Sequence, residues 1–170
     1  MESIGHGIAK WVLLFTMAIG MVFFLSSPAS AVINITVTGS WTQTIDKSNL
    51  TAGAGTNLTG TYTSAQNVNQ VSITGTINKN DNWQVNIKRI DTTWNSSLLI
   101  FARRTSAGTG NGSISGGNAY IQVTQSDTTF FSGAGDRSSI NIQLQLTGAS
   151  LQIPPNQYTT TIQYTVIDTP

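Results

Sequence analysis

The sequence predicts an all-β protein: an antiparallel two-sheet sandwich of Greek-key or immunoglobulin-like type, preceded by an N-terminal export helix. Three observations predict it. Beyond residue 31, apolar and polar residues alternate in run after run. Clusters of Gly, Pro and Asn separate those runs. Residues 11–25 form an apolar stretch of another kind, with no period of two. The expected domains are therefore a signal peptide over 1–31 and a single β-sandwich domain over 32–170.

The first segment carries the three regions of a secretory signal in order. Residues 1–10 carry the polar Glu2, Ser3 and His6 and end in a cation, Lys10. Residues 11–25 read WVLLFTMAIGMVFFL, and Ser26, Ser27 and Pro28 break the run. Ala29-Ser30-Ala31 then supplies the small-x-small site of a signal peptidase. The apolar run spans 15 residues, short of the roughly 20 that a helix needs to cross a bilayer. Cleavage after Ala31 is the expectation. No second apolar run follows, so the mature chain is expected outside the cell, secreted or associated with the surface, with no membrane contact after cleavage.

Composition then removes most chemistries. Only 9% of the residues are charged, against roughly 25% in an ordinary soluble domain. Beyond Ala31 there are seven Lys or Arg, six Asp, and no Glu, His, Cys or Met. That inventory lacks the His of a Ser-His-Asp triad, a Cys nucleophile and the His or Cys ligands of zinc. No disulfide can form. A net charge of +1 argues against a nucleic-acid surface. The sequence offers no catalytic residue, no cofactor-binding residue and no metal site, and the protein is not expected to be an enzyme.

The strands follow from alternation. Successive side chains on a strand point to opposite faces, so each run has one core face and one wet face. Ile33, Ile35 and Val37 form the first such run. Val71, Ile73, Gly75 and Ile77 form the second, and Trp83, Val85 and Ile87 the third. Ile140, Ile142, Leu144 and Leu146 form another, and Tyr158, Thr160, Ile162, Tyr164 and Val166 the last. Their intervening residues are mostly Thr, Asn and Gln, and Thr suits a pleated surface through its branched Cβ. Turn signals at 53–55, 78–82, 108–112, 116–118, 133–136 and 154–156 cut the chain into eight or nine short strands. The 46–60 stretch, rich in Gly, Thr and Asn, is expected as a mobile loop.

Few residues remain for a site. The six Asp lie singly in turn-like surroundings, where a carboxylate bonds its own backbone. Asn78, Asn80 and Asn82 alternate like the ligands of a calcium loop, but the Gly and bidentate Glu of that loop are absent; a hairpin from Ile77 to Trp83 is the simpler expectation. Five Asn-x-Ser/Thr triplets occur, at Asn34, Asn49, Asn57, Asn95 and Asn111, about what the Asn and Ser/Thr content gives by chance. Trp94, flanked by polar residues, is the candidate exposed aromatic. Arg103 and Arg104 are candidate contacts to an anionic partner, or guards against edge pairing; on a strand they face opposite ways. Ile33, Ile35 and Val37, next to the expected cut, could leave their own sheet and complete a neighbour's.

The last strand, Tyr158 to Pro170, resembles the closing strand of WxL domains, which end in Tyr-x-x-Thr-Leu-x-Trp-Thr-Leu-x-Asp-x-Pro. Trp83-Gln84-Val85 and Tyr164-Thr165-Val166 stand where that family has its two Trp-x-Leu motifs, with Val for Leu in both and Tyr for Trp in the second. The resemblance implies a secreted protein attached non-covalently to cell-wall polymer. The Pro-Pro-Asn-Gln turn before Tyr158 is also similar to spore-coat-U-type and fimbrial subunits. That likeness implies self-assembly into a homo-oligomer, or partnership with other envelope proteins, through N-terminal strand exchange.

Overall fold

The structure, a computed structural model, describes residues 32–169. The expected export segment and its helix lie outside the described residues.

Among the described residues eleven strands follow in order. They are β1 (Asn34–Thr38), β2 (Thr61–Thr63), β3 (Asn69–Thr74), β4 (Asn82–Thr93), β5 (Leu99–Arg104) and β6 (Thr109–Gly110). Then come β7 (Ile114–Gly116), β8 (Ile121–Gln122), β9 (Thr128–Ala134), β10 (Arg137–Thr147) and β11 (Thr159–Asp168). They make two antiparallel sheets. One runs β1-β3-β10-β5-β8, with β2 and β6 also pairing with β10. The other runs β11-β4-β9-β7.

Alternation places the core. Val71 and Ile73 of β3, Ile140 and Ile142 of β10, and Val85 and Ile87 of β4 have no exposed surface. One hydrophobic cluster joins them to Ile100 and Ala102 of β5, Phe130 and Phe131 of β9, and Tyr164 of β11. The cluster thus draws on both sheets. Burying each large apolar side chain contributes about 1.5–3 kcal/mol relative to leaving it in water.

Three sequence expectations change. The run from Val71 stops at Thr74, because Gly75 turns the chain with φ +85°, and Ile77 is 66% exposed. The 78–82 segment is not a hairpin: β3 and β4 belong to different sheets, so the segment crosses from one to the other. The 46–60 stretch is tied across itself rather than left loose. Thr51 N donates to Asn57 O and Thr59 N to Asn49 O, beside a bridge between Leu50 and Leu58.

The long-range pairing is nested. β3 pairs with β10, β4 with β9, and β5 with β8, as if one long hairpin had been rolled up. The tight link at Gly135 and Asp136 carries the chain from the second sheet directly into the first.

Candidate functional site

The residues compared above with the WxL motifs lie in or against the core. Trp83 is 1% exposed, donates its indole N–H to Gly135 O at 2.8 Å, and meets Phe131 edge-on at 6.1 Å. Its cross-strand partner is Gly133, where a Cβ would come within 2.6 Å of the Trp83 ring and 2.4 Å of Ser113 O. The glycine is therefore required by close approach. Val85 is fully buried. Tyr164 lies beside Phe130, its hydroxyl 3.5 Å from Asn69 Oδ1, and burial pushes its phenol well above the usual range. Val166 is half-buried against the core. Tyr158 ties the turn before its strand, its hydroxyl donating to Pro154 O at 2.7 Å.

The three candidate contact residues are not brought to one surface. Trp94 is half-buried rather than presented: its N–H donates to Leu98 O at 2.9 Å, and the Arg89 guanidinium stands 5.3 Å from its ring. Arg103 stacks 4.8 Å from the Tyr120 ring and donates to Gln143 Oε1, which the Tyr120 hydroxyl also reaches. Arg104 faces the other way, as a strand dictates, and is only 8% exposed. Its Nε and Nη1 donate to the carbonyls of Gly116 and Ser106, so it is not a surface contact. Burial, and then the nearby Arg137, lower its pKa. Arg137 is equally buried and donates to the carbonyls of Ala107, Gly110 and Gly112. The two guanidiniums thereby fix the Gly- and Ser-rich 105–117 segment.

β1 occupies an edge of the first sheet, paired with β3 from Asn34↔Thr74 to Thr38↔Gln70. Ile33 and Ile35 are half-buried against the core, and Val37 is 38% exposed.

Five of the six carboxylates beyond Ala31 are committed to the fold. Asp46 caps the 3-10 turn Lys47–Asn49, and hydrogen bonds from the Ser48 hydroxyl and N–H lower its pKa. Asp81 accepts from Ile77 N, and Asp136 from both N and Oγ1 of Thr76. Asp91 accepts from Arg89, Gln125 and Thr160, and Asp127 pairs with Lys88 at 3.0 Å. Among the described residues, no group of three or more His, Cys, Asp or Glu could hold a metal ion.

What the topology does assemble is a shallow cleft of about 460 Å³ lined by Lys79, Asn80, Asn82, Asn111, Gly112, Ser113 and Ala134. The inter-sheet crossing supplies Lys79 and Asn80, β4 opens with Asn82, and the connection between β6 and β7 supplies Asn111, Gly112 and Ser113. Gly135 N donates to Asp81 O, Ala134 N to Ser113 O, and Arg137 Nη1 to Gly112 O, which clamps the two walls. A Cβ at Gly112 would fall 1.6 Å from Ala134 O, so only glycine lets the walls close this far. Three asparagines, a serine and one lysine thus line a single opening. Sequence reasoning weighed 78–82 and Asn111 separately and missed their meeting. Both stretches carry turn signals, but their juxtaposition depends on pairings with strands far away in sequence.

No family model matches the chain, and comparisons with curated proteins and with solved structures find no match.

Proposed function

We propose that this chain is an exported, non-catalytic protein of the cell envelope that attaches to a hydroxyl-rich, anionic wall polymer through the cleft around Lys79 and Asn111. The carrying observation is the cleft lining. Amides and a hydroxyl donate to and accept from sugar-like hydroxyls, and the lone ammonium favours an anionic group. Acid–base or nucleophilic catalysis finds little support in the chain, because five of the six carboxylates beyond Ala31 are engaged in holding turns and strands. The two sheets are read as a sandwich. Their nested pairing favours a jelly-roll winding over the immunoglobulin-like order that alternation alone brings to mind.

Co-sedimentation with isolated cell wall tests the reading. The full chain is expected to pellet with wall, and Lys79→Ala combined with Asn111→Ala to reduce the bound fraction several-fold without changing the melting temperature. Equal binding by parent and double variant contradicts it.

A second reading has one observation in its favour. Among the described residues β1 pairs with a single strand and keeps Val37 38% exposed, which suits a segment that could complete the sheet of another subunit. In that reading the protein is a pilus or coat subunit and its partner is a further copy.

A further inference from the structure

We propose that the outer edge of β11 is a self-association site, at which two copies pair their β11 strands antiparallel about a two-fold axis through Gln163. The inference is independent of the wall-polymer reading.

A strand at the edge of a sheet presents a row of unpaired N–H and C=O groups, and proteins blunt such edges with short strands, Lys, Pro or bulges. The other edges follow this rule or come close to it. β7 has three residues, β8 two, and β1 five. β11 does not. It has ten residues, pairs with β4 along all of them, and among the described residues has no ladder partner on its other side. From Thr159 to Ile167 it carries no charge and no proline. Its single irregularity lies at one end, between Thr159 and Thr160. β1 approaches β11 from the other sheet but forms no ladder with it.

The partner that fits is a second copy, and the side chains fix the register. Ile162, Tyr164 and Val166 look to the core, while Thr161, Gln163, Thr165 and Ile167 look away. Residues directly opposite in a ladder share a face, so the axis must pass through a residue and not between two. An axis through Gln163 sets Thr161 against Thr165 and Thr159 against Ile167, all neutral. It sends the two Asp168 carboxylates to opposite ends of the ladder. Lys88, beside Gln163 on β4, already pairs with Asp127, so no unneutralised like charge meets across the axis. The two four-stranded sheets then become one sheet of eight strands.

The chain has no cysteine, so single replacements report cleanly. In the full-length chain in mild detergent, Gln163→Cys is expected to give a disulfide-linked dimer on gentle oxidation. Thr161→Cys alone should not, whereas Thr161→Cys with Thr165→Cys should. Gln163→Lys, which sets two cations on the axis, should halve the sedimenting mass of the unlinked protein. A monomeric parent chain overturns the inference, and so does a Gln163→Cys chain that cross-links no faster than Ser115→Cys on β7. A dimer that fails to bind wall removes the polymer reading and leaves this one standing.

Discussion

At Tyr62 the core holds a phenol that is 7% exposed and whose hydroxyl has no hydrogen-bond partner among the described residues. Burial alone raises its pKa. A buried hydroxyl without a partner costs about 1–3 kcal/mol of desolvation. The ring fills space between β2 and the core, but the oxygen contributes nothing. Tyr62→Phe is therefore expected to raise stability by about 1 kcal/mol, read as a higher denaturant midpoint at unchanged slope. A loss of stability would mean that the hydroxyl has a partner. Trp83 shows the opposite case, since its N–H is satisfied by Gly135 O and its ring by the missing side chain of Gly133. Neither outcome is legible from residue type, because both aromatics sit at inward positions of alternating runs.

Among the elements, the strands that sequence reveals are those with one wet face. β1 and β11 begin and end close to their apolar–polar runs, because water on one side enforces the period of two; β4 and β10 contain theirs but run further, β4 on to Thr93 and β10 from Arg137. β9 hides for a specific reason. Val85 pairs with Phe131 and Asn86 with Thr129, so the register shifts around Phe130 and two successive phenylalanines are buried together. A bulge of this kind breaks the alternation that marks a strand. β5 hides because its outward residues Leu99 and Phe101 are also apolar and half-buried. The inter-sheet corner joins elements that no local pattern links: Asp136, between β9 and β10, accepts two hydrogen bonds from Thr76, just after β3. Those bonds hold its carboxyl below the ordinary 3.8. A depressed carboxyl pKa stabilises the fold above the unfolded value, and that contribution is lost as the pH falls through the folded value. Asp136→Asn is expected to cost up to about 1 kcal/mol at neutral pH, a figure kept small by solvent screening. Denaturation across a pH series should show the gap to the parent closing as the pH drops below 3.8. A gap that persists in acid would contradict the assignment.

Over the whole molecule, class is written in the sequence and winding is not. Alternation and turn signals give an all-β chain with two antiparallel sheets, because each run has a face that must be buried. They say nothing about which run pairs with which, and the natural expectation for neighbours separated by 78–82 is a hairpin. The fold instead pairs β3 with β10, bringing Gln70 to Asn141 across 71 residues of sequence. The candidate cleft depends on this: its walls come from segments that adjoin only once β4 lies against β9 and β10 lies against β6. The measurement that tests the account most directly is therefore a set of cross-strand proton contacts by NMR on the isotope-labelled full-length chain. Contacts joining Gln70 to Asn141 and Asn86 to Thr165 are the predicted result, with none between β3 and β4. Contacts linking 69–74 to 82–88 across the intervening turn would contradict it.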